Sequence, residues 1–357
     1  MKKSLLALAV LGAFAGTAAA QVTVYGQLEA GFGTRDFVRG NVSRLKTTGV
    51  QDSVLGASRW GIRGSEDLGN GLKGVFALET TVSLAGDTNM FGTVDSLGMQ
   101  GNNVVENEAG FSPRLGYVGL QGGFGTVTLG RDNNPIHSVA AASDVDGRNG
   151  FSPTSNLYEG TNRGQAITYT SPNFGGFTVR AQYAREAAEV RSAANVVEDD
   201  YKGDVLALAA AYANGPLTVG VGYQILDTEN TAGGGVAADR NERKHWIVGG
   251  AYDLKVVKLF ANAQQRKIDL NAGVRGNENR EYNLGVSAPI GAFTLVAAAG
   301  RNEQTSATNV KTKGTDYVVG ANYSLSKRTF AYARHGRYDT IGTNENKGFQ
   351  VGVRHAF

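Results

Sequence analysis

Residues 58–64 read SRWGIRG. Arg59 and Arg63 fall on one parity of this run, and Trp60 and Ile62 on the other. A guanidinium stays charged at any physiological pH and carries five donors suited to carboxylate and phosphate oxygens. Two of them on one parity, with large apolar side chains on the other, describe a fixed positive surface backed by a greasy one. After the turn DLGNG the pattern returns: Phe76 and Leu78 take the apolar parity, while Val75, Ala77 and Glu79 take the other. Catalytic chemistry finds no comparable foothold. His137, His245, His335 and His355 are scattered without an HExxH or i,i+4 pairing. GFGT at 31–34 and GGFGT at 122–126 lack the helix and Lys-Ser/Thr of a phosphate loop, and no G-x-S-x-G elbow occurs. Cysteine is absent, which removes disulfides and Cys-based metal or redox sites. The residues able to act are fixed charges, which steer solutes, and no cofactor is expected.

Charges of this kind need strands to position them. FTVRAQYA (177–184) puts Phe177, Val179, Ala181 and Tyr183 on one face, and Thr178, Arg180 and Gln182 on the other. EYNLGVSA, DYVVGANYSL, LTVGVGYQI and GFQVGVRHAF alternate in the same way, the mark of a strand with one apolar and one polar face. Fifty glycines, 14 tyrosines and 15 phenylalanines against six prolines and three methionines also favour strands and turns over helices. Connections come in two sizes. Short turns read DLGNG, GGFG, NFGG, NGP, PIGA and SLSKR; long polar stretches fall near 34–52, 85–109, 132–161, 187–201, 227–243, 268–279, 304–313 and 339–346. Long and short connections in alternation are what up-and-down strands give when one end of a barrel carries large loops and the other tight turns. Sixteen candidate strands run from Val22 to Phe357, an even number that puts both ends on the short-turn side.

Residues 1–20 read as an export signal: Lys2 and Lys3, an apolar run from Leu5 to Ala15, and Ala18-Ala19-Ala20 before Gln21. This leaves one domain, 21–357. Losing the two lysines lowers the formal charge from +3 to about +1, which argues against a nucleic-acid partner. Beyond residue 20 no eighteen-residue apolar stretch occurs, so helical membrane spans are excluded and a closed barrel is the remaining way through a bilayer. A soluble sandwich would alternate too, but it would need a second layer, and the polar faces here carry charge, Gly, Asn and Gln. On the barrel reading, Trp60 and Ile62 face lipid, and Arg59, Gly61 and Arg63 face a watery lumen. An arginine on the lipid face would cost ~2–4 kcal/mol at the bilayer midplane.

The run SRWGIRGSEDLGNGLKGVFALE resembles the SR-x-G-x-[KR]-G-x-EDLG-x-GL block of general, trimeric porins of Gram-negative bacteria, in the Neisseria- and Bordetella-type form of the beta-proteobacteria. VTVYGQLEAG (22–31) is similar to their first strand, and RLGYVGLQGGFGTVTLGR (114–131) to the strand pair before their third loop. AITYTSPNFGGFTVRAQY (166–183) is similar to the hairpin after it, and NGPLTVGVGY, GGAYDLKVVKL, LGVSAPIG, YSLSKRTFAYA and VGVRHAF continue in order. The resemblance implies a transmembrane antiparallel up-and-down β-barrel of sixteen strands, all-β, with an inward-folded third loop. It further implies a homotrimer of the outer membrane, in contact with its lipid and lipopolysaccharide, passing small anions and hydrophilic solutes by diffusion. Phe357 resembles the sorting signal read by the outer-membrane assembly machinery.

In that family, acids of the third loop oppose arginines on the wall. The corresponding loop, 132–161, carries Asp132, Asp144, Asp146 and Glu159, and the wall residues carried over are Arg59 and Arg114, both read with inward parity. Arg63 shares the face of Arg59, while Tyr25, Gln27, Glu29 and Glu79 point inward too. Opposed rings of charge are a selectivity device. The expected constriction is therefore Arg59, Arg63, Arg114, Arg163 and Glu79 against Asp144 and Asp146. Two departures stand out. Arg163 shares parity with the lipid-side Ile167 and Tyr169, so it reaches the lumen only if Gly164 forms a bulge or the strand starts later; Gln27 takes the place of a lysine that some porins carry. The expected function is a weakly anion-preferring diffusion channel of the outer membrane and not an enzyme; an adhesin or receptor, or a barrel enzyme, are the alternatives.

Overall fold

The computed structural model describes residues 21–39, 43–52, 54–85, 112–148, 150–155, 162–191, 197–231, 239–270, 274–340 and 344–357. Residues 1–20, expected to be an export signal, Glu159 and most of the stretch 85–109 lie outside the described residues. The strands are β1 (Gln21–Arg39), β2 (Ser43–Asp52), β3 (Arg59–Gly69), β4 (Leu72–Thr81), β5 (Ser112–Gly122), β6 (Gly125–Asn133), β7 (Asn162–Thr170), β8 (Phe177–Arg191) and β9 (Val197–Asn214). They continue as β10 (Leu217–Thr231), β11 (Asp239–Asp253), β12 (Lys258–Leu270), β13 (Val274–Ile290), β14 (Phe293–Thr305), β15 (Lys311–Ser324), β16 (Thr329–Thr340) and β17 (Asn344–Ala356). One helix, α1 (Pro135–Ala142), and a 3-10 turn (Pro153–Ser155) lie between β6 and β7.

All pairing is antiparallel, and β1 closes the ring. One edge of β1 pairs with β17 over Gln27–Arg39, and Gly26 and Phe357 exchange two backbone hydrogen bonds of 3.1 and 3.0 Å. The other edge pairs with β3 over Gln21–Gln27 and with β2 over Ala30–Arg39. β2 and β3 therefore share one place in the wall, interrupted at residues 54–58, and the seventeen segments make the sixteen staves expected from the sequence. The closed sheet offers no row of unpaired peptide groups to hydrocarbon.

Alternation is realised inside out. Val24, Val118 and Leu284 are 61, 62 and 70% exposed on the outer face, whereas Glu281, Asn302 and Asp316 are fully buried inside. Tight turns sit where the sequence places them; Gly69, Asn70 and Gly71 have φ of 87, 54 and 76°, a left-handed run that glycine and asparagine accept most readily. A seventh short connection, Asp253–Lys258, was not among the expected turns; Asp253 Oδ1 accepts from Lys255 N at 2.7 Å to form it.

The long connections differ from expectation. Stretches 34–52, 187–201, 227–243 and 268–279 are largely strand, with β12 ending at Leu270 and β13 starting at Val274. Beyond the bilayer both faces of a strand meet water, so polarity stops alternating while the hydrogen-bonded ladder continues. Of the stretch 132–161, residues 134–148 and 150–155 do leave the wall. They fold into the lumen, where glycines clear their path: a Cβ at Gly222 would stand 2.9 Å from Ile136 Cγ2, and one at Gly249 2.5 Å from Ser143 Oγ.

Val221 lies on the outer face between the Tyr223–Trp246 pair above and the Leu217–Tyr252 pair below. Val221→Arg is expected to destabilise the barrel by ~2–4 kcal/mol in urea unfolding from lipid vesicles, the range for an arginine at mid-depth.

Candidate functional site

The inward loop is built around its polar residues. Asn134 caps α1, its Oδ1 accepting from Ile136 N at 3.2 Å with Pro135 at the first helical position. Its amide group donates to Gln224 of β10. Ile136, Val139 and Ala140 pack against Ala209 of β9 and Ile247 of β11, which fixes the helix to the wall. Ser143 Oγ donates to Val139 O at 2.8 Å at the other end.

Asp144 then organises the following turn. Its Oδ1 accepts from the backbone N–H of Asp146 and Arg148, both at 2.9 Å, and its Oδ2 from Ser152 Oγ at 2.5 Å and Thr154 Oγ1 at 2.7 Å. Four donors occupy this buried carboxylate. Asp146 reaches the wall instead: Arg334 of β16 donates Nε to Oδ2 at 3.0 Å and Nη2 to Oδ1 at 2.9 Å, with the two side chains 1 and 6% exposed. A paired fork of this kind fixes orientation as well as distance. Phe151 completes the docking in a small apolar cluster with Val54, Leu55, Val318 and Tyr332.

Val54 and Leu55 belong to the interruption between β2 and β3. Glu29 of β1 holds it in place: the carboxylate accepts from Leu55 N at 2.9 Å and from Tyr332 Oη at 2.8 Å, while Glu29 N donates to Ser58 Oγ at 2.9 Å. Arg354 of β17 donates to Leu55 O at 3.1 Å.

The remaining wall carries the arginines. Glu79 of β4 lies between Arg59 Nε at 3.4 Å and Arg114 Nε at 2.8 Å. Arg63 stands over the Tyr25 ring, 5.0 Å from its centroid. Arg180 of β8 pairs with Asp132 at 2.8 Å, and Asp132 also accepts from Thr128 Oγ1 at 3.0 Å. Arg59, Arg63, Arg114 and Arg180 thus share this wall with Glu79 and Asp132. On the loop facing it, Arg148 Nη1 donates to His137 Nδ1 at 3.2 Å. Burial, with Arg148, Arg114 and Arg180 nearby, pushes the His137 pKa from 6.5 down to about 3, so the imidazole stays neutral at pH 7.

Of the residues expected at a constriction, the structure brings together Arg59, Arg63, Arg114 and Glu79. Arg114 gets there through a bulge. Glu79 pairs with Leu115 and Thr80 with Pro113, leaving Arg114 as the extra residue, whereas simple alternation from the exposed Val118 and Leu120 would have sent it outward. The two loop acids are bonded to other partners: Asp144 accepts its four donors within the loop, and Asp146 meets Arg334. Arg163 pairs in register with Asp132, and an irregularity at Gly164 and Gln165, where Gln165 has a φ of 47°, interrupts the parity that pointed it to lipid; its side chain lies outside the described residues. Arg180, Arg334 and the 54–58 interruption escaped sequence reasoning. Arg180 was visible by its parity with Gln182, while Arg334 needed its partner, 188 residues away, to be recognised.

Residues 7–343 match a family described as Gram-negative porin. The chain is 32% identical to outer membrane porin protein 32 of Delftia acidovorans and 29% identical to an outer membrane porin protein of Bordetella pertussis, in both cases over the whole of each chain. Among solved structures it is similar to an anion-selective porin from Comamonas acidovorans, with a TM-score of 0.70 and 28% identity over 95% of this chain and all of that one.

Two outcomes follow from the loop geometry. Asp146→Ala leaves Arg334 buried and unpaired, a change worth about 3–5 kcal/mol; single-channel recordings are expected to show a noisier current, while the barrel still folds. The docked His137 refuses a proton that a released one would accept, so docking is at full strength above about pH 6.5 and weakens as pH falls towards 3. Current noise should rise between pH 6 and 4, and His137→Gln should flatten that rise.

Proposed function

Because this chain belongs to the Gram-negative porin family, we propose that its lumen passes small hydrophilic solutes passively with a weak preference for anions. Porins are channels of the outer membrane, so the chain is a membrane channel and not an enzyme. The observation that carries the preference is the charge balance of the wall. Arg59, Arg63, Arg114 and Arg180 outnumber Glu79 and Asp132, and the loop acids Asp144 and Asp146 are engaged elsewhere. Glu79 fixes the guanidiniums of Arg59 and Arg114 in place without cancelling both. Arg148 adds a further positive group from the loop side. An anion passing between them gains attraction that a cation forfeits, and pore width does the rest.

The anion selectivity of the similar Comamonas protein supports the same reading. The proposal extends to a homotrimer, on the family resemblance, with residues 1–20 removed on export. Phe357 then serves the assembly machinery as a sorting signal; its place at the closure of the ring suits a residue that is read before the barrel shuts.

In planar bilayers across a KCl gradient, the reversal potential is expected to show anion preference; clear cation preference would sink the proposal. Removing one guanidinium about 5 Å from the ion path takes about 0.8 kcal/mol from an anion in water. Because a cation is relieved of the same repulsion, Arg114→Ala should lower the anion-to-cation permeability ratio by up to about sixteenfold at low salt, and by less near 1 M, where screening is nearly complete at that range.

A further inference from the structure

Inside the lumen, one cavity plays no part in the charge balance of the wall. It measures about 130 Å³ and lies on the short-turn side of α1, between the helix and strands β8 to β11. Thr178, Ala211 and Gly220 form its floor, paired in register on three neighbouring strands. Side chains this small leave the space between wall and helix unfilled. Ser138 and Ala142 cover it from α1, one turn apart and both exposed. The helix is already fixed by Ile136, Val139 and Ala140, so these two positions are not needed to dock it. A mainly apolar recess thus opens in a channel otherwise lined by charge.

One cation borders this recess. Arg180 gives Nη2 to Asp132 at 2.8 Å, while its Nε has no acceptor among the described residues. The two partners are not equally placed. The Asp132 side chain is 10% exposed against 22% for Arg180, and Asp132 also accepts from Thr128 Oγ1 at 3.0 Å and from Asn133 N at 2.7 Å. Arg180 lines the cavity and Asp132 does not. The pair therefore turns its positive member towards whatever enters, and a guanidinium presents the flat fork of donors that suits a carboxylate.

We propose that this cavity is a subsite for small monocarboxylates with a compact apolar body, the carboxylate on Arg180 and the body between α1 and the wall. The proposal rests on the channel reading and names a class of solute that the channel holds on its way through. Size sets the limit: an apolar cavity of about 150 Å³ holds one benzene ring, so a single ring or a short branched alkyl group is the largest body that fits here. Charge sets the other requirement. A neutral apolar molecule leaves the guanidinium without a counter-charge, and an inorganic anion leaves the recess empty; only a solute with both parts uses both.

The test measures chloride current through the full-length protein in planar bilayers, with benzoate, acetate and benzyl alcohol added in turn from the short-turn side. Benzoate is expected to halve the current at a concentration about tenfold below that needed for either of the others, because only benzoate buries a ring and also meets the arginine. Ala211→Phe fills the cavity from the wall and should raise the benzoate concentration required by about tenfold. Conductance in KCl alone and the response to acetate should not change in that variant. Arg180→Gln should bring benzoate and benzyl alcohol level. Should Ala211→Phe not fold, Ala142→Leu narrows the same cavity from an exposed helix position and is expected to act in the same direction. Equal block by acetate and benzoate, equal block by benzyl alcohol and benzoate, or undiminished benzoate block in a folded cavity-filling variant would overturn the proposal. Failure of the channel reading is seen separately, as absent conductance or cation preference in KCl alone.

Discussion

A peptide group inside hydrocarbon has no water to turn to, so it must find its partner within the protein. In this chain that requirement is met by running strands side by side until the first meets the last. Everything else is a consequence of the closed ring. One face of each strand is left to the lipid and the other to the lumen, and the side chains sort by parity into Val24, Val118 and Leu284 outside and Glu281, Asn302 and Asp316 inside. A ring of sixteen strands is too wide for its own side chains to fill, which creates the space that the loop after β6 occupies.

The loop explains why acids and bases are distributed as they are. An element suspended in a watery lumen has only small apolar clusters to hold it, around Ile136 and Phe151, so directed polar bonds are added to them. Asp144 gathers four donors within the loop, and Asp146 grips Arg334 on the wall. Glycines opposite Ile136 and Ser143 let the backbone come close enough for these contacts to form. The carboxylates that hold the loop are thereby removed from the permeation path. The surplus of arginine on the opposite wall follows from the same division of labour: charge balance in the molecule as a whole does not require charge balance in the lumen.

Much of the architecture was legible in the sequence, because period-two alternation reports directly on a two-sided environment. Strands β3, β4, β8 and β13 can be drawn from it residue by residue, and the tight turns from their Asn and Gly. Legibility stopped where the environment ceased to be two-sided. Above the membrane the strands β8 to β13 run on through sequence that reads as polar loop. At Arg114 and around Gly164, a bulge reverses the parity on which an inward or outward assignment depends. The wall partners of the loop were hidden for a different reason. An aspartate that binds its own backbone and one that pairs with a distant arginine look alike in sequence, and nothing local to Asp144 or Asp146 distinguishes them. The interruption at 54–58 reads as a loop end; that Glu29 and Arg354 fasten it inside the lumen emerges only once the ring is closed.

The seam between β1 and β17 joins positions separated by almost the full length of the chain. Distance by itself is a modest obstacle, since the entropy of joining two points grows only slowly with the intervening length. The graver matter is what the nascent sheet exposes while it waits. Until β17 arrives, one border of β1 is a bare template that any extended segment, from this molecule or another, can zip onto. Successful maturation is therefore a contest between the correct final strand and every competing one, and its outcome depends on how well that border is shielded before the last strand docks.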